Sequence, residues 1–130
     1  MVLGVDPVGR EQLLAAHDGR VLWHGVKDED VMAVDDQYAV IRSADGRAFS
    51  GRSFGTDGAT WQRPVNDGAS AALSPYAAIV ADTSPQRITA LSPSSGRVLV
   101  DARTEAKIFA AGPGGLIAVD GKDMAYLPFR

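Results

Sequence analysis

The 130-residue chain contains no cysteine, which excludes disulfides, thiolate metal centres, iron–sulfur clusters and thiol nucleophiles together. It leaves the compartment open, because cysteine-free domains occur on both sides of a membrane. No apolar stretch approaches the roughly 20 residues that cross a bilayer as a helix, so direct membrane insertion is not expected. Basic clusters are missing too. Thirteen Lys and Arg are spread singly along a chain of formal net charge −3, leaving nothing to neutralise a series of phosphates. Nucleic acid is therefore disfavoured as a partner. The first ten residues lack the charged start and apolar core of a signal peptide. What remains is ordinary globular material: 45% hydrophobic and 22% charged residues, enough for one folded domain.

The informative feature is a repeat. Four segments begin at residues 2, 38, 77 and 116, and each reads as a short apolar strand, a turn and a second strand. Between them Asp18-Gly19-Arg20-Val21-Leu22-Trp23, Asp57-Gly58-Ala59-Thr60-Trp61 and Ser95-Gly96-Arg97-Val98-Leu99-Val100 each set a glycine before a short strand. Asp-Gly supplies the positive-φ residues of tight hairpin turns. A further strand precedes each later hairpin, at 31–34, 69–73 and 107–111. One full unit is then four strands, A to D: 31–35, 38–43, 48–54 and 59–63, repeated at 69–73, 77–82, 87–91 and 96–101. The N-terminal copy shows only B, C and D, and the C-terminal copy only A, B and C. Residues 10–16 have helix-forming composition, but they span under two turns, and the repeat makes them a strand. Trp23 lies four residues after Gly19, whereas Trp61 lies three after Gly58. If the units superpose, a bulge or gap must intervene.

The Gly-Arg-Val-Leu-Trp ending at Trp23, closing a unit of about 39 residues, resembles the quinoprotein-like (PQQ-like) β-propeller repeat. The resemblance implies an all-β fold of antiparallel four-stranded blades, incomplete within one chain: a partial blade at 1–25, blades at 31–64 and 69–102, and a partial blade at 107–130. A closed propeller needs about four to eight blades. The ends would thus be covered by more of a longer protein, by a second copy or by a partner, unless the chain folds as a compact sandwich-like variant. The resemblance also implies a calcium ion, a cofactor funnel and often a vicinal cysteine pair in the enzymes of the family. The cysteines and most of the blades are absent, so no cofactor is expected. An exported or membrane-tethered parent protein is a further implication.

Candidate chemical groups are few. Asp28-Glu29-Asp30 with Asp35-Asp36 could offer oxygen ligands to calcium, but they lack the spacing of an EF-hand loop and read as solvated loops. His17 and His24, the only histidines, have no third ligand that can be nominated. Ser50, Ser70 and Ser74 lack a partnered base and read as strand or turn residues. Gly112-Pro113-Gly114-Gly115 is followed by the β-like run Leu116-Ile117-Ala118-Val119, whereas a phosphate cradle would precede a helix. Trp23 and Trp61 read as blade-packing core rather than ligand platforms. No catalytic, cofactor-binding or metal residue is nominated. The sequence points to a non-catalytic interaction or scaffold module with a protein partner or self-association. The alternative is a fragment or subunit of a quinoprotein-like enzyme whose site is completed elsewhere.

Overall fold

The computed structural model describes residues 2–5, 10–16, 18–26, 28–54, 59–83 and 86–130. Among these the chain is all-β, with fourteen strands and no helix. The first sheet holds β1 (Val2–Val5), β2 (Glu11–Leu14) and β3 (Val21–His24). The second holds β4 (Asp30–Val34), β5 (Tyr38–Arg42), β6 (Ala48–Ser53) and β7 (Ala59–Pro64). The third holds β8 (Ser70–Leu73), β9 (Ala78–Thr83), β10 (Gln86–Leu91) and β11 (Val98–Arg103). The fourth holds β12 (Lys107–Ala111), β13 (Gly115–Asp120) and β14 (Asp123–Pro128). Each sheet is an antiparallel meander, and the four do not close on themselves. The helix-forming composition around residues 10–16 yields to pairing, since β2 bonds β1 on one side and β3 on the other.

The sheets stack face to face in chain order, and the B strands show why their sequences are uninterruptedly apolar. Ala39, Val40 and Ile41 of β5 are all fully buried. Ala39 and Ile41 join Leu13 in the core between the first and second sheets. Val40, one residue out of phase, joins Phe49 and Trp61 against Ala78, Val80 and Leu91 of the third sheet. A strand covered on both faces has no polar alternation to show. The third sheet turns its other face, with Ile88, Ala90, Leu99 and Val100, to Leu116 of the fourth. Each sheet thus has a trailing face toward the preceding one and a leading face toward the next.

The expected bulge is present, but it recurs in every D strand and so does not account for the one-residue difference in tryptophan spacing. In each sheet that has a D strand, one D residue is extra. Leu13 pairs Trp23 while Leu14 pairs Val21, leaving Leu22 over. Gly51 pairs Trp61 while Arg52 pairs Ala59, leaving Thr60 over. Ala90 pairs Val100 while Leu91 pairs Val98, leaving Leu99 over. These bulges put Trp23, Trp61 and Val100 at one equivalent position. Gly58, from which the unequal spacing was measured, lies outside the described residues. One expected step is corrected: in the B strands the trailing residues are Ala39, Ala78 and Leu116, so the last step is 38 residues, not 39.

Candidate interaction surface

Trp61 ties the second sheet to the third. Its ring lies over Gly51, where a Cβ would come within 2.0 Å of the indole nitrogen. On the other side it meets the C–D turn of the third sheet, where a Cβ on Gly96 would lie 2.4 Å from the Trp61 Cβ. The indole Nε1 donates to the Pro93 carbonyl at 3.0 Å, so this aromatic is 91% removed from solvent with its polar edge satisfied. Gly96 sits at φ +73°; it is a glycine for its backbone angle and for the ring that fills the space beside it. Trp23 packs, partly buried, against the core between the first two sheets. Both tryptophans are therefore packing residues, in the positions the repeat predicts.

The other groups singled out in the sequence are held in their own turns. Glu29 accepts from the Val26 amide at 2.8 Å, and Asp30 pairs with Arg42 across the ladder. Asp35 accepts from the amides of Gln37 and Tyr38, both at 2.8 Å, the Asx arrangement that closes the β4–β5 turn. Asp28 adopts φ 68°, a conformation aspartate tolerates better than most residues. Ser74 closes the β8–β9 turn, its Oγ accepting from the amides of Tyr76 and Ala77. Ser50 lies in β6 and Ser70 in β8. His24 ends β3, and His17 lies outside the described residues. Among the described residues no three His, Asp or Glu side chains group as metal ligands.

Gly112–Gly115 forms the turn between β12 and β13, closed by the Gly112 amide bonding the Gly115 carbonyl at 2.9 Å. Its glycines have a use invisible in the sequence. A Cβ on Gly115 would lie 2.7 Å from the Tyr126 ring, and one on Gly114 3.0 Å from its hydroxyl. The end of the tyrosine ring occupies the space beside both glycines.

Two open surfaces among the described residues stand out. The first is a hollow of about 400 Å³ between the A–B turns of the second and third sheets, lined by Asp35, Asp36, Gln37, Tyr38, Leu73 and Pro75 among others. Exposed Val34 and Tyr76 adjoin it in sequence. The second is the leading face of the fourth sheet, where Ile117 pairs Tyr126 and Val119 pairs Met124. Tyr126 is 60% and Met124 70% exposed. Sequence reasoning anticipated uncovered end faces but not the hollow, which depends on which turns the stack brings together.

No family model and no curated protein sequence matches the chain. Among solved structures it is similar to BamB from Moraxella catarrhalis, with 20% sequence identity and a TM-score of 0.60. The match covers 98% of this chain and 41% of the BamB chain, so this chain spans about two fifths of that length. At that identity the likeness concerns the fold alone. With the four stacked meanders it establishes an all-β chain of antiparallel β-propeller blades, left unclosed.

Proposed function

We propose that this chain is a non-catalytic β-propeller interaction module that holds a protein segment in the hollow between its A–B turns. The observation that carries this reading is the bonding of the hollow's walls: Asp35 and Ser74 each accept two backbone amides in the two turns that form it. A pre-set wall binds without the cost of ordering loops. Exposed Asp36 and Gln37, with Tyr38, Leu73 and Pro75 beside them, suit an extended segment that offers one basic and one apolar side chain. Asp35 and Ser74 are occupied with their own backbone, which favours binding over chemistry. Membership of the quinoprotein-like repeat family, and blade limits at 1–25, 31–64, 69–102 and 107–130, are part of this proposal. They are supported by the Gly-Arg-Val-Leu-Trp ending and by the equivalent D-strand bulges.

Proximity labelling in cells tests the reading, with the wild-type chain, with Asp36→Lys, and with a control, Asp67→Lys, at an exposed turn residue before β8 that does not line the hollow. A protein labelled by the wild type and by Asp67→Lys, lost with Asp36→Lys and binding the purified chain with the same ranking, is the expected result. Saturable binding of calcium together with pyrroloquinoline quinone by the purified chain would instead favour a quinoprotein-like enzyme subunit.

A further inference from the structure

The trailing face of the second sheet carries a cation that its own ladder leaves without an acceptor. Arg52 lies in β6, and its partners on the two flanking strands are Ala39 and Ala59. Ala39 packs in the core toward the first sheet, and directly opposed residues share a face of a sheet, so Arg52 faces that way too. There its Nε–H is closed to solvent and has no hydrogen-bond partner among the described residues. Two other strand arginines are treated differently: Arg42 pairs with Asp30 and Arg87 with Asp101. A guanidinium keeps its charge at any working pH, and a buried donor left unmade carries the full cost of its desolvation.

Beside Arg52 lies a crevice of about 120 Å³. Ser50 pairs with Ile41 on one side and with Gln62 on the other, and Ile41 packs in the same core as Ala39. Ser50, Arg52 and Gln62 therefore line the crevice from one face, bringing a hydroxyl, a guanidinium and an amide to it. Glu29 lines it as well, with its Oε1 accepting from the Val26 amide at 2.8 Å. One cation and one anion leave the lining without net charge. Desolvation grows with the square of a ligand's charge while attraction to Arg52 grows only in proportion, so a singly charged anion suits the crevice better than a doubly charged phosphate.

We propose that this crevice is a carboxylate-binding site. The Arg52 Nε and an adjacent Nη take the two oxygens side-on as a fork, with Ser50 and Gln62 beside them as further donors. The volume admits a head of about six heavy atoms or fewer. The ligand is thus a small monocarboxylic acid or the acidic side chain of a partner protein. No residue lines both this crevice and the hollow at the A–B turns, so either reading can fail without the other.

The Arg52 Nε–Hε resonance reports the site directly and is assigned by its loss from the Arg52→Lys spectrum. Sodium acetate represents the free acid, and N-acetylglutamic acid α-amide the side chain. Each is titrated into the purified chain against sodium chloride at matched ionic strength. A saturable downfield shift of the Arg52 Hε with at least one carboxylate is expected, with inorganic phosphate at least tenfold weaker. The tighter of the two carboxylates identifies the source. Arg52→Lys keeps the charge but loses the fork, and once circular dichroism shows it folded it is expected to bind at least tenfold more weakly by calorimetry. A resonance that ignores both carboxylates, an equal response to chloride or phosphate, or undiminished binding by Arg52→Lys would each overturn the proposal.

Discussion

At the scale of single residues, the glycines carry the most decisive constraints, and two of them separate backbone from packing. Gly46 and Gly96 share a positive φ, at +72° and +73°, so alanine at either site meets the same left-handed strain, about 1–2 kcal/mol. Only Gly96 has a neighbour in the way. Gly96→Ala should therefore lose about 1–3 kcal/mol more than Gly46→Ala, the usual cost of overpacking. Urea midpoints at constant slope measure the difference, and equal losses would mean that the Trp61 contact does not constrain the turn. The Ser43–Arg47 turn supplies a second residue-scale case. Asp45 is held below its ordinary carboxylate range first by the Ser43 hydroxyl at 2.6 Å and then by the Arg47 amide at 3.0 Å. A depressed carboxylate contributes stability that is present above its unfolded value of 3.8 and lost as pH falls through the lower folded value. Ser43→Ala should move the Asp45 titration up toward 3.8, read by NMR of the side-chain carbon, and narrow the difference in stability between neutral and acid pH.

At the scale of elements, the bulges decide which side of a sheet an aromatic occupies. Deleting Thr60 removes the extra residue of β7 and forces either Ala59 or Trp61 to the wrong face. The expected result is a red-shifted tryptophan emission and a loss of about 3–5 kcal/mol, the range for emptying a buried aromatic site. Unchanged emission and an unchanged midpoint would show that the bulge does not set the register. The same feature marks the limit of what the sequence discloses. Strand positions were legible because apolar runs such as Ala39-Val40-Ile41 end at turn residues such as Asp35-Asp36 and Ser74-Pro75. Register was not, because the extra residue carries no distinguishing mark: Leu22 and Leu99 read like any apolar strand residue, and Thr60 is polar. The extra residue in each is fixed by how β3, β7 and β11 must twist beside their neighbours. The packing role of Trp61 could be read from its place in the repeat. The seat of Tyr126 on Gly114 and Gly115 could not, since it needs β14 folded back across β13. The hollow at the A–B turns was illegible for the same reason: Asp36 and Pro75 are far apart in the chain and meet only because β4 and β8 lie side by side.

At the scale of the whole molecule, a stack in which each sheet touches only its neighbours should be stable in proportion to how many faces each sheet buries. The third sheet is covered on both sides, with β9 and β10 supplying Ala78, Val80, Leu91, Ile88 and Ala90 to two cores. The second sheet is likewise covered on both faces, with Ala39, Val40 and Ile41 of β5 fully buried between two cores. Among the described residues the first sheet packs into one core, the smallest, through the fully buried Leu13. Amide exchange in dilute solution should therefore be slowest in β5, β9 and β10 and fastest in β1–β3, with β12–β14 between them. Uniform protection across the fourteen strands would instead mean that the stack unfolds as one cooperative unit.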